Sequence, residues 1–279
     1  MNIADKTILI TGAGRGIGRA LVDEALRRGA RRVYAGTRGP LSPAVARVTA
    51  VKLDVTSAED IQRAAGSIDS LDLLVNNAGI APYDDLSNPE ILERTFAVNL
   101  FGVLNVTRAF LPLLKRSRGA VVNHLSMVAL AALPLIPSYS ISKAAALNLT
   151  QSLRALLAGD AVKVHGVVLG PVDTDMNRGF DIPKATTESA ARGIFDGLER
   201  SEEDIFPDPA SQSVADGWRN GAAKALERQF AAFVPGNAAG HRIKESPARC
   251  RSRRWWDHDD LVTPCLAANW IACLNGDDR

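Results

Sequence analysis

Thr7-Ile8-Leu9-Ile10-Thr11-Gly12-Ala13-Gly14-Arg15-Gly16-Ile17-Gly18 is the stretch that decides the fold. Its first four residues are an apolar, partly β-branched run, which reads as a buried parallel strand. A glycine-rich turn follows at once and opens a helical pattern. That order carries a physical mechanism. Gly12 permits a tight turn, Gly16 lets backbone approach a pyrophosphate, and Gly18 allows close packing of the helix behind it. The new helix N-terminus offers free N–H groups and the positive end of a dipole.

Outward from this stretch, strands and helices alternate. Ile17, Leu21, Ala25 and Leu26 share one side of a helix over Gly18–Arg28, with Gly29 as its stop. Val33–Gly36, Val48–Leu53 and Leu71–Val75 read as the second, third and fourth strands, and Thr56-Ser57-Ala58-Glu59 has capping-box spacing for a helix start. Glu90–Lys115 predicts a long helix that Pro112 kinks or ends. Ala120–Leu125 and Val162–Leu169 are the fifth and sixth strands, around an alanine- and leucine-rich helix at Tyr139–Ala158. Asp204-Ile205-Phe206 is taken as the seventh strand. Repeated strand–helix units imply parallel pairing through right-handed crossovers. The expected fold class is α/β: a Rossmann-like, doubly wound parallel sheet with helices on both faces, in a single domain over residues 1–235.

Composition fits that reading. The chain has 279 residues, 46% hydrophobic and 23% charged, with net charge +2, enough for one large core. Near-neutral charge argues against nucleic acid as a partner. Cys250, Cys265 and Cys273 match no zinc or redox spacing, so no metal is expected, and a cysteine-free stretch of this length fits a reducing cytoplasm. The start is polar, and the apolar run Met127–Ile136 is too short to span a bilayer, so no membrane partner is expected.

The end of the second strand reports on the cofactor. An NAD site usually places a carboxylate there, about twenty residues past the glycines, to take the ribose hydroxyls. Here Thr37 and Arg38 occupy that place, and Arg15 lies in the glycine loop. Two guanidinium groups suit a 2′-phosphate, so NADP(H) is favoured over NAD(H), against the plainer reading of both arginines as solvated surface charge. Tyr139 and Lys143 stand one helical turn apart. The ammonium can favour the phenolate of a tyrosine that otherwise titrates near 10. Dinucleotide, phenol and ammonium together are equipment for moving a hydride and a proton.

From about Lys6 to Met176 the chain resembles a classical short-chain dehydrogenase/reductase. The resemblance rests on TGxxxGxG at Thr11–Gly18, on Asn76-Asn77-Ala78-Gly79, and on Asn99, Ser126 and YxxxK at Tyr139–Lys143. It implies that Tyr139 is the general acid or base and that Lys143 also holds the nicotinamide ribose. By the same resemblance Ser126 positions the substrate oxygen, and Asn99 holds a water linking Lys143 to solvent. Asp54, followed by Val55, would contact the adenine, against the plainer reading of Asp54 as a turn cap. Asn77, Ala78 and Gly79 would pack on the adenosine side, and Val172 and Thr174 would contact the carboxamide. Two departures stand out. The family's usual Pro-Gly appears as Leu169-Gly170-Pro171, and Gly39-Pro40 and Pro43 interrupt the usual helix between Arg38 and Val51.

The segments expected to face substrate are Ala81–Leu86, Met127–Ser138 and Asn177–Thr187, the last a candidate lid. Val128, Leu130, Leu133, Leu135 and Ile136 suit an apolar ketone, aldehyde or alcohol. A non-catalytic dinucleotide sensor or scaffold is the alternative function. Relatives of this kind pair their two long helices, so a homodimer or homotetramer is expected. Residues 236–279 carry every cysteine, three of the 4 tryptophans, a basic cluster and an acidic one, without periodicity. Three readings stay open for them: a disordered extension, a partner-binding arm, or sequence not native to the chain.

Overall fold

The computed structural model describes residues 1–39 and 46–234. The expectations for Pro40, Pro43 and 236–279 lie outside the described residues. One seven-stranded sheet forms the centre, in the order β3-β2-β1-β4-β5-β6-β7. The strands are β1 Thr7–Thr11, β2 Arg32–Thr37, β3 Val48–Lys52, β4 Leu73–Asn76, β5 Ala120–His124, β6 Lys163–Val167 and β7 Asp204–Ile205. Every pair is parallel, so the expected Rossmann-like architecture is the observed one. The reversal of strand order lies between β1 and β4, and crevices at such a point receive ligands.

Alternation along each strand sorts the side chains by face. Ile8, Ile10, Leu73, Val75, Val122 and Val167 join one core with Leu21, Val22 and Ala25 of α1 (Gly16–Arg27) and with Ile194, Phe195 and Leu198 of α6 (Thr187–Glu199). The other face meets α4 (Val103–Ser117), with Val106, Phe110 and Leu114 buried, and α5 (Pro137–Leu157), with Leu153 buried. Truncating Phe110 or Phe195, both fully buried, to alanine would cost about 3–5 kcal/mol.

Three local expectations are corrected. The start of α2 (Ala58–Ser67) is capped by Ser57, which accepts from Asp60 N, and not by Thr56. Thr56 turns back instead, donating through N and Oγ1 to Asp54. The long helix is not one α-helix. It runs as α3 (Pro89–Phe96), a π-helical stretch at Ala97–Gly102, and then α4, which continues through Pro112 to Ser117. The π stretch faces Val55: a Cβ on Gly102 would stand 2.8 Å from Val55 Cγ2. Single-turn π segments recur at functional sites, and this one carries Asn99. By length and composition alone the run Pro89–Ser117 could cross a membrane, at a mean hydropathy of 1.5. Half of that window is buried in the fold, as in a core helix.

After β7 come α7 (Pro209–Arg219), capped reciprocally by Asp208 and Ser211, and α8 (Ala222–Ala231). A buried polar cluster ties both back to the sheet. Asp204 of β7 accepts from Arg154 Nη2 at 2.7 Å, Trp218 Nε1 at 2.7 Å and Lys224 Nζ at 2.8 Å. Glu227 pairs with Arg154 and Lys224.

Candidate functional site

The glycine loop is built by its backbone. Gly12 and Gly16 adopt φ of +66° and +53°, a region costly for other residues. Gly18 is forced by closeness, since a Cβ there would lie 2.2 Å from Gly12 O. Asn77 and Thr11 lock the loop to the end of β4. Asn77 Nδ2 donates to Thr11 O (2.8 Å) and Gly12 O (3.2 Å), while Thr11 Oγ1 accepts from Asn77 N and Ala78 N, both at 3.0 Å. Ile17 packs on the core beneath. Arg15 is the N-cap of α1 and provides no side-chain cap. The first-turn N–H groups of α1 are thus left to a ligand, and an anion fits there.

Of the residues predicted for the cofactor, Thr37, Asn77, Ala78 and Thr174 stand against this loop, and one pair differs in detail from expectation. Thr37 Oγ1 lies 3.5 Å from where a Cβ on Gly14 would stand, and it binds Gly39 through both N and O. Thr174 Cγ2 lies 3.3 Å from the corresponding point on Gly16. Val172 is buried and forms a parallel bridge with Ala185. Asp54 spends Oδ1 on Thr56, and those hydrogen bonds, with a smaller contribution from Arg38, hold its carboxyl below the usual range. The exception is the pair of arginines expected to clamp one phosphate. Arg15 instead bonds Asp175 at 3.2 Å, in the loop after β6. Arg38 remains exposed. Arg15, Gly16, Arg19, Thr174, Asp175 and Glu188 line a cavity of about 360 Å³.

Tyr139, Lys143, Ser126 and Asn99 come together at the C-terminal ends of β4 and β5. Pro137 opens α5, so Tyr139 and Lys143 fall in its first two turns. Lys143 Nζ lies 5.7 Å from the centre of the Tyr139 ring and donates to His124 O at 2.7 Å. Ser126 caps the short turn at Met127–Ala129 and shares a hydrogen bond with Tyr139. A Cβ on Gly79 would lie 3.3 Å from Asn99 Oδ1 and 3.8 Å from Lys143 Nζ, so Gly79 leaves room between them.

The electrostatics differ from the sequence expectation. Burial pushes the Tyr139 phenol up to about 12, against a smaller lowering from Ser126. Burial also lowers the Lys143 ammonium to about 8. The ammonium was expected to draw the phenol down. Here it is turned to a carbonyl, and desolvation outweighs it. Asn99, which the resemblance implies to hold a water, is fixed by its side-chain amide. Its amide donates to Ile80 O and Ser142 Oγ, both at 2.9 Å, and accepts from Ile80 N at 3.0 Å. Both amide hydrogens are thus committed to the protein.

His124 was missed from sequence. The parallel registers place it next to Val167 and one residue beyond the Asn76–Asn123 pair, on the face that carries Val122. Asn77 and the glycine loop lie on that side. Its Nε2 is buried without a hydrogen-bond partner. Burial, and then Lys143, lower the imidazole to about 3 and keep it neutral. An orphaned ring nitrogen at the end of β5, together with the uncapped α1, fits a polar cofactor in this crevice. Among the described residues no cluster of His, Cys, Asp and Glu could hold a metal ion.

Known proteins agree with this geometry. A solved short chain dehydrogenase from Burkholderia cenocepacia, in complex with NADP, is 39% identical with a TM-score of 0.76, covering 82% of this chain and 99% of its own. Sorbitol dehydrogenase of Cereibacter sphaeroides is 33% identical over 69% of this chain and 80% of its own. Carbonyl reductase [NADPH] 2 of Sus scrofa is 36% identical over 64% of this chain and 76% of its own. The family model described as short chain dehydrogenase matches residues 6–184. With its parallel sheet, glycine loop and Tyr–Lys helix, this chain belongs to the short-chain dehydrogenase family of oxidoreductases.

Proposed function

We propose that this chain is an NADP(H)-dependent oxidoreductase that interconverts a carbonyl and an alcohol on an apolar small molecule, with Tyr139 as acid and base. The observation that carries the reading is the convergence of Tyr139, Ser126 and Lys143 beside the glycine loop. NADP(H), when bound, supplies or accepts the hydride at the substrate carbon. Ser126 and Tyr139 hydroxyls hold the substrate oxygen between them. In reduction the Tyr139 Oη proton passes to that oxygen as the carbonyl π bond breaks, and in oxidation it returns. A phenol near 12 is a poor base alone, so Lys143 must turn from His124 O toward the phenol and the ribose for the oxidative direction. Proton transfer of this kind contributes about 10²–10⁴-fold.

The preference for NADP(H) rests on Thr37 and Arg38 standing where a carboxylate would favour NAD(H), and on Arg15, which must leave Asp175 to meet a 2′-phosphate. Gly12, Gly16, Ile17 and Gly18 take the pyrophosphate. Asp54, Val55, Asn77, Ala78 and Gly79 flank the adenosine, and Val172 and Thr174 the nicotinamide. Substrate class follows from the mouth, where Tyr83, Leu133, Leu135, Met176 and Ile182 are exposed. Tyr83 stacks on Phe180 with ring centroids 5.7 Å apart, which joins two of the segments expected to face substrate. Phe101 and Ile141 are exposed on the two long helices, which supports pairing of those helices in a homodimer or homotetramer. The cytoplasm, with residues 1–235 as the dinucleotide-binding domain, completes the reading.

The test is a fluorescence titration of NADPH and of NADH, then absorbance at 340 nm with a panel of apolar ketones, for the wild-type chain and Tyr139→Phe. Tighter binding of NADPH, turnover of a ketone, and loss of nearly all turnover in Tyr139→Phe with binding retained are expected. Full activity in Tyr139→Phe would refute the acid–base role. Binding without turnover across the panel would favour a dinucleotide sensor.

A further inference from the structure

The helix that presents Tyr139 has no cap of its own. Ile136 at the N-cap of α5 makes no side-chain hydrogen bond, and Pro137 has no N–H. Ser138 N would be an open donor in a side chain's fully buried surroundings, since Ser138 is 0% exposed. Its partner comes from far away in sequence. Asp84 Oδ1 accepts from Ser138 N at 3.3 Å, and Asp84 Oδ2 accepts from Ser138 Oγ. The carboxylate therefore sits at the positive end of the α5 dipole and satisfies a first-turn N–H, as a local cap would.

The other attachments of the same region point the same way. Asp84 lies on the loop after β4, and the preceding residue, Tyr83, stacks on Phe180 with ring centroids 5.7 Å apart and planes at 25°. Phe180 belongs to the 177–187 segment at the mouth. On the far side of the turn, Ser140 Oγ accepts from Leu133 N at 3.1 Å and bonds Ile136 O at 3.1 Å. The first turn of α5 is thus held between the 81–86 loop and the 127–136 segment. Tyr139 follows Ser138 directly, so any tilt of this turn moves the phenol relative to Ser126.

We propose that Asp84 is a positioning residue: by capping α5 in place of a local N-cap, it fixes the first turn so that the Tyr139 hydroxyl stays on Ser126, while Tyr83 ties the same loop to the mouth. This rests on the reading of Tyr139 as the acid and base. Asp84 itself touches neither the phenol nor the glycine loop in any hydrogen bond described above.

The experiment compares Asp84→Ala, Asp84→Asn and Ser138→Ala in the full chain by kcat, by KM and Kd for NADPH, and by hydrogen exchange over residues 137–142. Asp84→Ala should lower kcat about 10–100-fold, the scale of a misplaced reacting group, with Kd for NADPH within about twofold, because the cradle at β1 and α1 is untouched. Asp84→Asn keeps an acceptor for Ser138 and should recover most of kcat. Asp84→Ala combined with Ser138→Ala should be no worse than Asp84→Ala. Exchange over 137–142 should quicken in Asp84→Ala and return in Asp84→Asn. Unchanged kcat, or a loss of NADPH affinity equal to the loss of kcat, would overturn the proposal. Should the wild-type chain turn over no ketone, the acid–base reading fails, while unchanged exchange in Asp84→Ala separately overturns the anchoring. If Asp84→Ala does not fold, Asp84→Asn and Ser138→Ala carry the same comparison.

Discussion

Lys143→Met separates what Lys143 does for stability from what it does for the site. Lys143 is 4% exposed, and burial lowers its ammonium from 10.5 to about 8. At pH 7 it is protonated in the folded and the unfolded chain, so folding carries the full cost of burying the charge. At about 1.4 kcal/mol for each pH unit separating the two values, that cost is about 3 kcal/mol. The sign follows from the order of the two values. The folded value lies below the unfolded one, so the unfolded chain binds more protons between about pH 8 and 10.5, and stability rises with pH there. The penalty is complete below about 8, is relieved through that window, and is gone above it. Methionine has similar length and no charge. The lost bond to His124 O displaces the whole comparison by an amount that does not vary with pH. Urea unfolding of both proteins without nucleotide, from pH 7 to pH 10, should show the wild type gaining about 2–3 kcal/mol relative to Lys143→Met. A difference that is flat across that range would refute the claim that Lys143 is held as a desolvated ammonium. A difference of opposite slope would mean that an anion, such as an ionised Tyr139, pairs with it in the folded protein.

Further outcomes follow from other parts of the fold. Arg38→Glu should weaken NADPH by about 10–100-fold, the loss of one charge-assisted contact plus repulsion, and leave NADH equal or tighter; paired fluorescence titrations read this. Gly18→Ala places a methyl 2.2 Å from Gly12 O, so the loop must shift, and NADPH affinity should fall by at least about tenfold. Burial alone would raise the Asp204 carboxyl, but Arg154 and Lys224 hold it below its ordinary value. Its stabilisation is therefore present above the usual carboxylate range and lost as pH falls below about 4. Asp204→Ala removes the buried carboxylate that both cations share and leaves Glu227 as their one common partner; it should cost about 3–5 kcal/mol at neutral pH, read as a fall in Tm with a flatter acid limb.

How much of this was legible in the sequence depends on the distance over which each signal acts. β1, β4 and β5 are short apolar runs whose burial on both faces of a parallel sheet is written in their composition. The glycine loop is equally local, because the left-handed φ of Gly12 and Gly16 and the tightness at Gly18 admit little else. Helical spacing correctly made Tyr139 and Lys143 neighbours. It carried no information on desolvation, which depends on parts of the chain far away in sequence, and so it could not give the direction of the phenol's shift. The π stretch around Asn99 was equally silent. Widening by one residue has no composition of its own and here accompanies the contact of Gly102 with Val55, far away in sequence. The cap on α5 was invisible for the same reason: capping signals are sought beside the helix, and Asp84 lies 54 residues before Ser138. α6, α7 and α8 were overlooked, two of them despite a local signal: Thr186 caps the start of α6, and Asp208-Pro209 with Ser211 at N3 opens α7.

These findings share a physical cause. Tyr139, Lys143 and His124 occupy one dry patch at the ends of β4 and β5, and burial pushes each toward its neutral form. A phenol and an imidazole lose little by that, since both are neutral at pH 7 in any case. Lys143 alone bears a cost at that pH, and it does so while committed to a carbonyl that any ligand must compete for. A patch of this kind lowers stability and is kept where a ligand's charge or dipole will complete it. A nicotinamide ribose beside Lys143 and a polar group near His124 Nε2 would repay that cost on binding. The consequence is measurable without turnover: NADP(H) should raise Tm beyond what its affinity for the glycine loop alone supplies, and Lys143→Met should forfeit that excess while starting from a higher Tm in the nucleotide-free protein. If Lys143→Met starts no higher and gains as much from NADPH as the wild type, the ammonium is neither strained in the fold nor used by the cofactor.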